Sequence, residues 1–268
     1  MMTERRTIAI TGASAGIGAA LARVCASRGY DLILIARREA PLQALAAEVS
    51  AAHGVTAHVV TADLGADGAA QTLYNEIAAR GLSVDGLINN AGFSKTTGFT
   101  QTDPAAQQEM LRVMLSVPVE LTRLYLPQMK AKGWGRIINV ASMAGFLQAT
   151  GGDTLYGPIK SFMIKFSQSL WVESEGSGVH VSALCPGYTY SEFHDVNGSR
   201  DAVSKAYPKW MWLEAERVAR EAWEAVEANE PRCIPGARYR ALALLSKLLP
   251  DRVGLKTAAS HARKLKRV

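Results

Sequence analysis

The sequence predicts an α/β protein: a three-layer, doubly wound parallel sheet of Rossmann type, built as a single domain with one long irregular loop and a basic helical extension at the C-terminal end. Three observations carry this. Short β-branched runs alternate with segments of helical periodicity to beyond residue 180. The first run enters a helix through a glycine-rich turn, and no repeat or low-complexity linker interrupts the alternation. Parallel strands need crossover connections, which are right-handed almost without exception, so helices must cover both faces of the sheet.

The elements follow in order. "RTIAI" reads as the first strand, "TGASAGIG" as the turn, and "IGAALARVCASRG" as a helix ending on Gly29. "DLILIA" reads as a buried strand, "EAPLQALAAEVSAAHG" as an amphipathic helix, "VTAHVV" as a strand, and Asp67 to Arg80 as a helix. Then come the strand "VDGLIN", a helical region from Pro104 to Lys132, the strand "GRIINVA", a helix from Tyr156 to Glu175, and the strand "VHVSALCP". After "CPG" the pattern breaks into an irregular, aromatic stretch, and a loop that long inside a compact domain usually carries function.

Composition narrows the class. At 268 residues, 48% hydrophobic and 20% charged, the chain is globular in type, and no window reaches the roughly 18 apolar residues of a membrane span. A strand-like run begins within a few residues of Met1, which leaves no room for a leader and sets a cytoplasmic expectation. Cys25, Cys185 and Cys233 show neither metal-site spacing nor the density of a disulfide framework, which fits a reducing compartment, and the five histidines suggest no metal. The net charge of +6 is uneven: residues 232–268 hold ten Lys/Arg against one acid, whereas residues 1–231 hold twenty against twenty-three. A basic end of this kind is either a solvated tail or an attractor of anionic lipid or nucleic acid, and without a recognised module nucleic acid is not expected.

In an open parallel sheet the first strand-to-helix turn is where a pyrophosphate meets a helix N-terminus. Gly12, Gly16 and Gly18 occupy that turn, where glycine lets backbone amides approach phosphate closely. At the end of the second strand an acid accepts from the adenosine ribose of NAD, whereas arginine pairs with the 2′-phosphate of NADP. The chain reads "ILIARR", with Ala36 in the acid's place followed by Arg37 and Arg38, so NADP(H) is the cofactor these residues favour. Ser14 can add a hydroxyl to the same phosphate.

With these motifs in order, the chain resembles the short-chain dehydrogenase/reductase family over residues 5–235. The markers are "TGASAGIG", "NNAG" from Asn89 to Gly92, Ser142 in "INVASMAG", Tyr156 with Lys160, and "CPG" from Cys185 to Gly187. The resemblance implies cofactor contacts at Gly12, Ser14, Ala15, Gly16, Ile17 and Gly18. It places Asp63 and Leu64 by the adenine, Asn90, Ala91 and Gly92 by the adenosine ribose, and Pro186, Gly187 and Thr189 by the nicotinamide. It makes residues 1–235 the catalytic unit, 188–213 its substrate loop and 236–268 the extension, and it implies a homodimer or homotetramer.

The resemblance assigns catalysis to Ser142, Tyr156 and Lys160. Tyrosine titrates near 10, and lowering that by about three units takes roughly 4 kcal/mol, which a nearby ammonium with the oxidised nicotinamide's charge can supply. Four residues make about one helical turn, so Tyr156 and Lys160 project from one face. Tyr156 would protonate a carbonyl oxygen as hydride arrives, Lys160 would tune it and hold the nicotinamide ribose, and Ser142 would stabilise the reacting oxygen.

One position departs from the family pattern. Where most members carry an asparagine about twenty-two residues after the "NNAG" glycine, this chain has Met114, whose thioether cannot replace an amide in a relay. Pro118 either frees the Met114 carbonyl to hold the relay water or merely starts the next helix. The loop aromatics Tyr188, Tyr190, Phe193, Tyr207, Trp210 and Trp212 favour a bulky apolar ketone or alcohol, and His194 is given no catalytic part. Besides a reductase, two readings stay open: a cofactor-binding regulator with little turnover, and a membrane-surface enzyme for lipid-like ketones that uses its basic end.

Overall fold

The computed structural model describes residues 5–192 and 207–264. Strands β1 (Thr7–Thr11), β2 (Asp31–Ala36), β3 (Ala57–Thr61), β4 (Gly86–Asn89), β5 (Gly135–Val140) and β6 (Val179–Leu184) alternate with helices α1 (Gly16–Ser27), α2 (Glu39–His53), α3 (Ala69–Ala79), α4 (Pro104–Leu111), α5 (Val117–Ala131) and α6 (Tyr156–Glu173). Two short strands, β7 (Thr189–Tyr190) and β8 (Leu213–Glu214), precede α7 (Ala215–Glu227), β9 (Arg232–Cys233), α8 (Ala237–Leu248) and α9 (Asp251–Lys264). Seven strands form one parallel sheet in the order β3-β2-β1-β4-β5-β6-β9, while β7 and β8 pair separately.

The central strands are apolar on both faces because each face has its own core. Ile8, Ile10, Leu32 and Leu34 pack against Leu21 of α1, Leu42 of α2 and Trp223 of α7. Ala9, Ile33 and Ile35 face the other way, against Leu73 of α3, Leu121 of α5 and Ile159 of α6. This is the near-continuous hydrophobic run expected of a covered parallel sheet. Trp223, 1% exposed and edge-on to Tyr30 at 5.1 Å, anchors the first core, where truncation to alanine costs about 3–5 kcal/mol. The sequence reading passed over α7 altogether, although its buried Val218, Ala219, Ala222, Trp223 and Val226 have helical spacing.

The region read as helical from about Pro104 to Lys132 is three pieces. Asp103 caps α4 by accepting from the Ala105 amide at 3.0 Å, with Pro104 in the first turn. A π-helical turn then spans Arg112–Ser116, closed by the Val117 amide donating to the Arg112 carbonyl, and α5 begins with Pro118 in its first turn. Proline withholds the amide that would bond Met114 in an α register or Val113 in a π register, and the chain takes the wider turn here. Opening the helix and starting the next one are therefore the same event.

Extension helices α8 and α9 fold back on the body. Gln148 donates to the Ser246 carbonyl at 3.0 Å, and a Cβ on Gly151 would stand 2.5 Å from that of Ala262. Among the described residues, no helix is long and apolar enough to cross a membrane.

Candidate active site

The strand order reverses between β1 and β4, and the carboxyl ends of β1, β4, β5 and β6 converge there, where open α/β sheets bind ligands. The glycine turn leaves β1 with Gly12 at φ +68°. A Cβ there would lie 2.8 Å from Asn90 Nδ2, and one on Gly18 would lie 2.3 Å from the Gly12 carbonyl oxygen, so the turn fits only without side chains. Asn90 Nδ2 donates to the Thr11 and Gly12 carbonyls at 3.0 and 3.1 Å, and Thr11 Oγ1 accepts the Asn90 and Ala91 amides. Asn90 Nδ2 is thus spent on holding the glycine turn. Helix α1 starts with no side-chain cap at Ala15 and no acid in its first turn, which leaves its N-terminus suited to an anion.

The predicted phosphate residues separate. Arg38 Nη2 donates to Ser14 Oγ at 3.3 Å and to Glu192 Oε2 at 2.7 Å, so it stands over the glycine turn. Arg37 points toward Glu109 at 3.5 Å. Asp63 is exposed and accepts from the Gly65 amide at 2.9 Å, whereas the Leu64 side chain is buried in the core. A groove of about 490 Å³ beside the turn is lined by Ser14, Gly16, Ser191, Glu192 and Glu216, and lies at the phosphate end rather than at Tyr156.

Ser142, Tyr156 and Lys160 meet. Ser142 caps a short 3-10 turn, Met143–Phe146, through Oγ accepting the Ala144 amide at 3.1 Å, and its hydroxyl bonds the Tyr156 phenol. Helix α6 begins on Tyr156, which puts Pro158 in the first turn, where its missing amide costs nothing. Lys160 is buried, its Nζ donating to the Val140 carbonyl at 2.7 Å and lying 5.5 Å from the Tyr156 ring centre. A buried chain of polar groups braces this end of the sheet: Asn89 Nδ2 donates to Asn139 Oδ1 at 2.8 Å, and Asn139 Nδ2 to Ser167 Oγ at 2.9 Å.

In the protein alone burial pushes the Tyr156 phenol up, the Ser142 bond opposing the rise and Asp153 adding to it, whereas the downward pull was expected of Lys160 together with the charge of the oxidised nicotinamide. Burial also lowers Lys160 to about 8, partly offset by Cys185, so its ammonium is itself weakened at the distance where it should act. Asp153, buried three residues before Tyr156, is a site residue the sequence reading missed, and its place at the helix entry was the signal.

Met114 sits under the "NNAG" turn, its Sδ 2.9 Å from where a Cβ of Gly92 would be. Thr189 is buried with Oγ1 donating to the Gly187 carbonyl at 3.1 Å. Tyr188 lies against Tyr207 in a tilted pair at 4.1 Å and Tyr190 stacks on Trp212 at 5.0 Å, while Phe193 and His194 lie outside the described residues. A second missed residue is Tyr239 of α8. Its hydroxyl accepts the Tyr188 amide at 3.0 Å and donates to the Met211 carbonyl at 2.6 Å, and a Cβ on Gly187 would fall 1.9 Å from its Cζ. The extension thus locks the turn that follows β6.

Fold and site together define a Rossmann-type protein with a Ser, Tyr and Lys cluster at its switch point. The family model described as short chain dehydrogenase matches residues 6–201. A ketoacyl reductase of Nostoc sp. is 32% identical over 183 residues, a match covering 68% of this chain and 63% of that protein, so the chain spans less than two thirds of that relative. A short-chain dehydrogenase from Sphingobium yanoikuyae in complex with NADPH is 31% identical with a TM-score of 0.78, covering 94% and 95% of the two chains. A bulky-bulky ketone specific alcohol dehydrogenase from Comamonas testosteroni is 27% identical with a TM-score of 0.75 over 95% of each. This chain belongs to the short chain dehydrogenase family of oxidoreductases.

Proposed function

We propose that the protein is an NADP(H)-dependent carbonyl reductase and alcohol dehydrogenase acting on a bulky apolar ketone. The observation that carries this is the meeting of Ser142, Tyr156 and Lys160 at the same carboxyl edge of the sheet as the uncapped N-terminus of α1. The residues present fit the cofactor. The glycine turn is a cradle that side chains would fill, and Arg38 with Ser14 offers a 2′-phosphate a guanidinium and a hydroxyl. When bound, the cofactor supplies or accepts a hydride.

The chain's own residues manage the proton. Tyr156, held neutral by burial, donates to the carbonyl oxygen in reduction, while Ser142 hydrogen-bonds that oxygen as charge develops. Lys160, still mostly charged at pH 7, favours the phenolate left behind. The Met114 carbonyl, in the turn that Pro118 opens, serves as acceptor for the relay water to Lys160; a high-resolution crystal structure without a water between Met114 O and Lys160 Nζ would overturn that assignment.

The aromatic cluster of Tyr188, Tyr190, Tyr207 and Trp212 supports the apolar substrate class. Exposed Phe162 and Val172 on α6 support a homo-oligomer through that helix, and three buried free cysteines fit the cytoplasm. The test is NADPH oxidation with a panel of aromatic and alicyclic ketones. Turnover that prefers NADPH and vanishes in Tyr156→Phe is expected; a silent panel with NADPH still bound would replace this reading with that of a non-catalytic nucleotide binder.

A further inference from the structure

The outer side of α8 has no use in the site described above. Its inward stripe, Tyr239, Ala243 and Ser246, packs on the body. Directly opposite at helical spacing lie Ala237, Ala241, Leu244 and Leu248, all exposed, the two leucines at 62% and 72%. Leu242, Leu245 and Leu249 widen this apolar face, and along one edge of it run Lys247 and Arg240, the latter also 3.7 Å from Glu221. Trp210, itself 56% exposed, joins from the substrate loop: the Arg238 guanidinium lies 4.9 Å over its ring and donates to its carbonyl. On α9, Gly254 and Ala262 face inward, and Arg252, Lys256 and Arg263 occupy the opposite side. No acid occurs from Ala237 to Pro250, and Asp251 is the only one in residues 232–268.

We propose that this face docks on an anionic lipid surface, with the leucines and Trp210 entering the headgroup boundary and the flanking cations meeting lipid phosphate. A helix with an apolar outer face, basic flanks and an amphipathic indole matches a bilayer interface, where each element finds its own layer. A second copy of the chain fits less well, because pairing would bring two strongly basic segments together without a countercharge. Tyr239 links α8 rigidly to Tyr188 and Met211, so docking would hold the mouth of the substrate loop at the bilayer. Resting on the function proposed above, this is where an apolar ketone dissolves.

Flotation of the full chain with phosphatidylcholine vesicles, with and without phosphatidylglycerol, tests the docking. Binding to the anionic vesicles alone, weakened by salt, is expected. The Leu244→Glu/Leu248→Glu variant should lose roughly a hundredfold in partitioning, with its far-UV circular dichroism unchanged because both positions are exposed. Tyr156→Phe should float like the wild type, which separates failure of the docking from failure of the catalytic reading. No flotation, or flotation indifferent to the leucine substitutions, would overturn the proposal. So would light scattering in which those substitutions dissociate an oligomer while vesicle binding is absent, since that assigns the face to a second copy.

Discussion

Replacing Lys160 with methionine should stabilise the protein at neutral pH. In the folded chain burial holds this ammonium at about 8 against an ordinary 10.5. At about 1.4 kcal/mol per pH unit, that difference is a cost of about 3 kcal/mol to the folded state. The sign follows from proton uptake. Below pH 8 both states are protonated and the cost is complete; between 8 and 10.5 only the unfolded chain holds the proton, so stability is regained as pH rises. Methionine removes the buried charge but leaves the Val140 carbonyl without its donor, a loss of about 1 kcal/mol. The net gain is about 2 kcal/mol, or roughly 4–8 °C in Tm for a chain of this size. Thermal melts of Lys160→Met and wild type across pH 7 to 10.5 should show the largest gap at pH 7 and closure toward 10.5, with turnover lost in the variant throughout. A variant that melts at or below wild type at pH 7, or a gap independent of pH, would refute the reasoning.

Tyr156→Phe should lower turnover by about 10²–10⁴ while leaving NADPH binding intact by fluorescence titration. Because burial keeps the phenol protonated, carbonyl reduction should be flat through neutral pH and fall only in alkali, whereas alcohol oxidation should rise with pH; parallel profiles in the two directions would contradict this. Arg38→Ala should weaken NADPH by about tenfold or more and leave NADH nearly unchanged, and an equal loss for both would remove Arg38 from the 2′-phosphate. Gly187→Ala should destabilise by about 1–3 kcal/mol through collision with the Tyr239 ring; the same substitution made in Tyr239→Ala should cost clearly less in a double-mutant cycle.

The sheet was legible because strands such as Asp31–Ala36 are buried on both faces and therefore read as unbroken apolar runs between turn residues. The site markers were legible because Gly12, Asn90, Ser142 and Tyr156 each close a strand or open a helix, where residue type and position are bound together. What escaped depends on distant contacts. Tyr239 acts on Gly187 only because α8 folds back some fifty residues later, and nothing near either residue announces it. The setting of the Tyr156 phenol in the protein alone escaped for the same reason. The sequence shows an ammonium one turn away but not that Lys160 is buried beside a half-buried Tyr156, or that Lys160 is committed to Val140. At Pro118 the local rule was sound, and the wider turn it produces is seen only once α5 is packed on the sheet.

The central claim is that Tyr156 delivers a proton to a carbonyl that receives hydride from NADPH. The most direct test is single-turnover reaction of a bulky ketone with NADPH deuterated at its transferable position, followed by mass analysis of the alcohol. One deuterium on the carbinol carbon is expected, with transfer slowed about 10²–10⁴-fold in Tyr156→Phe and little transfer from deuterated NADH. An unlabelled alcohol, or label delivered equally well without the phenol, would contradict it.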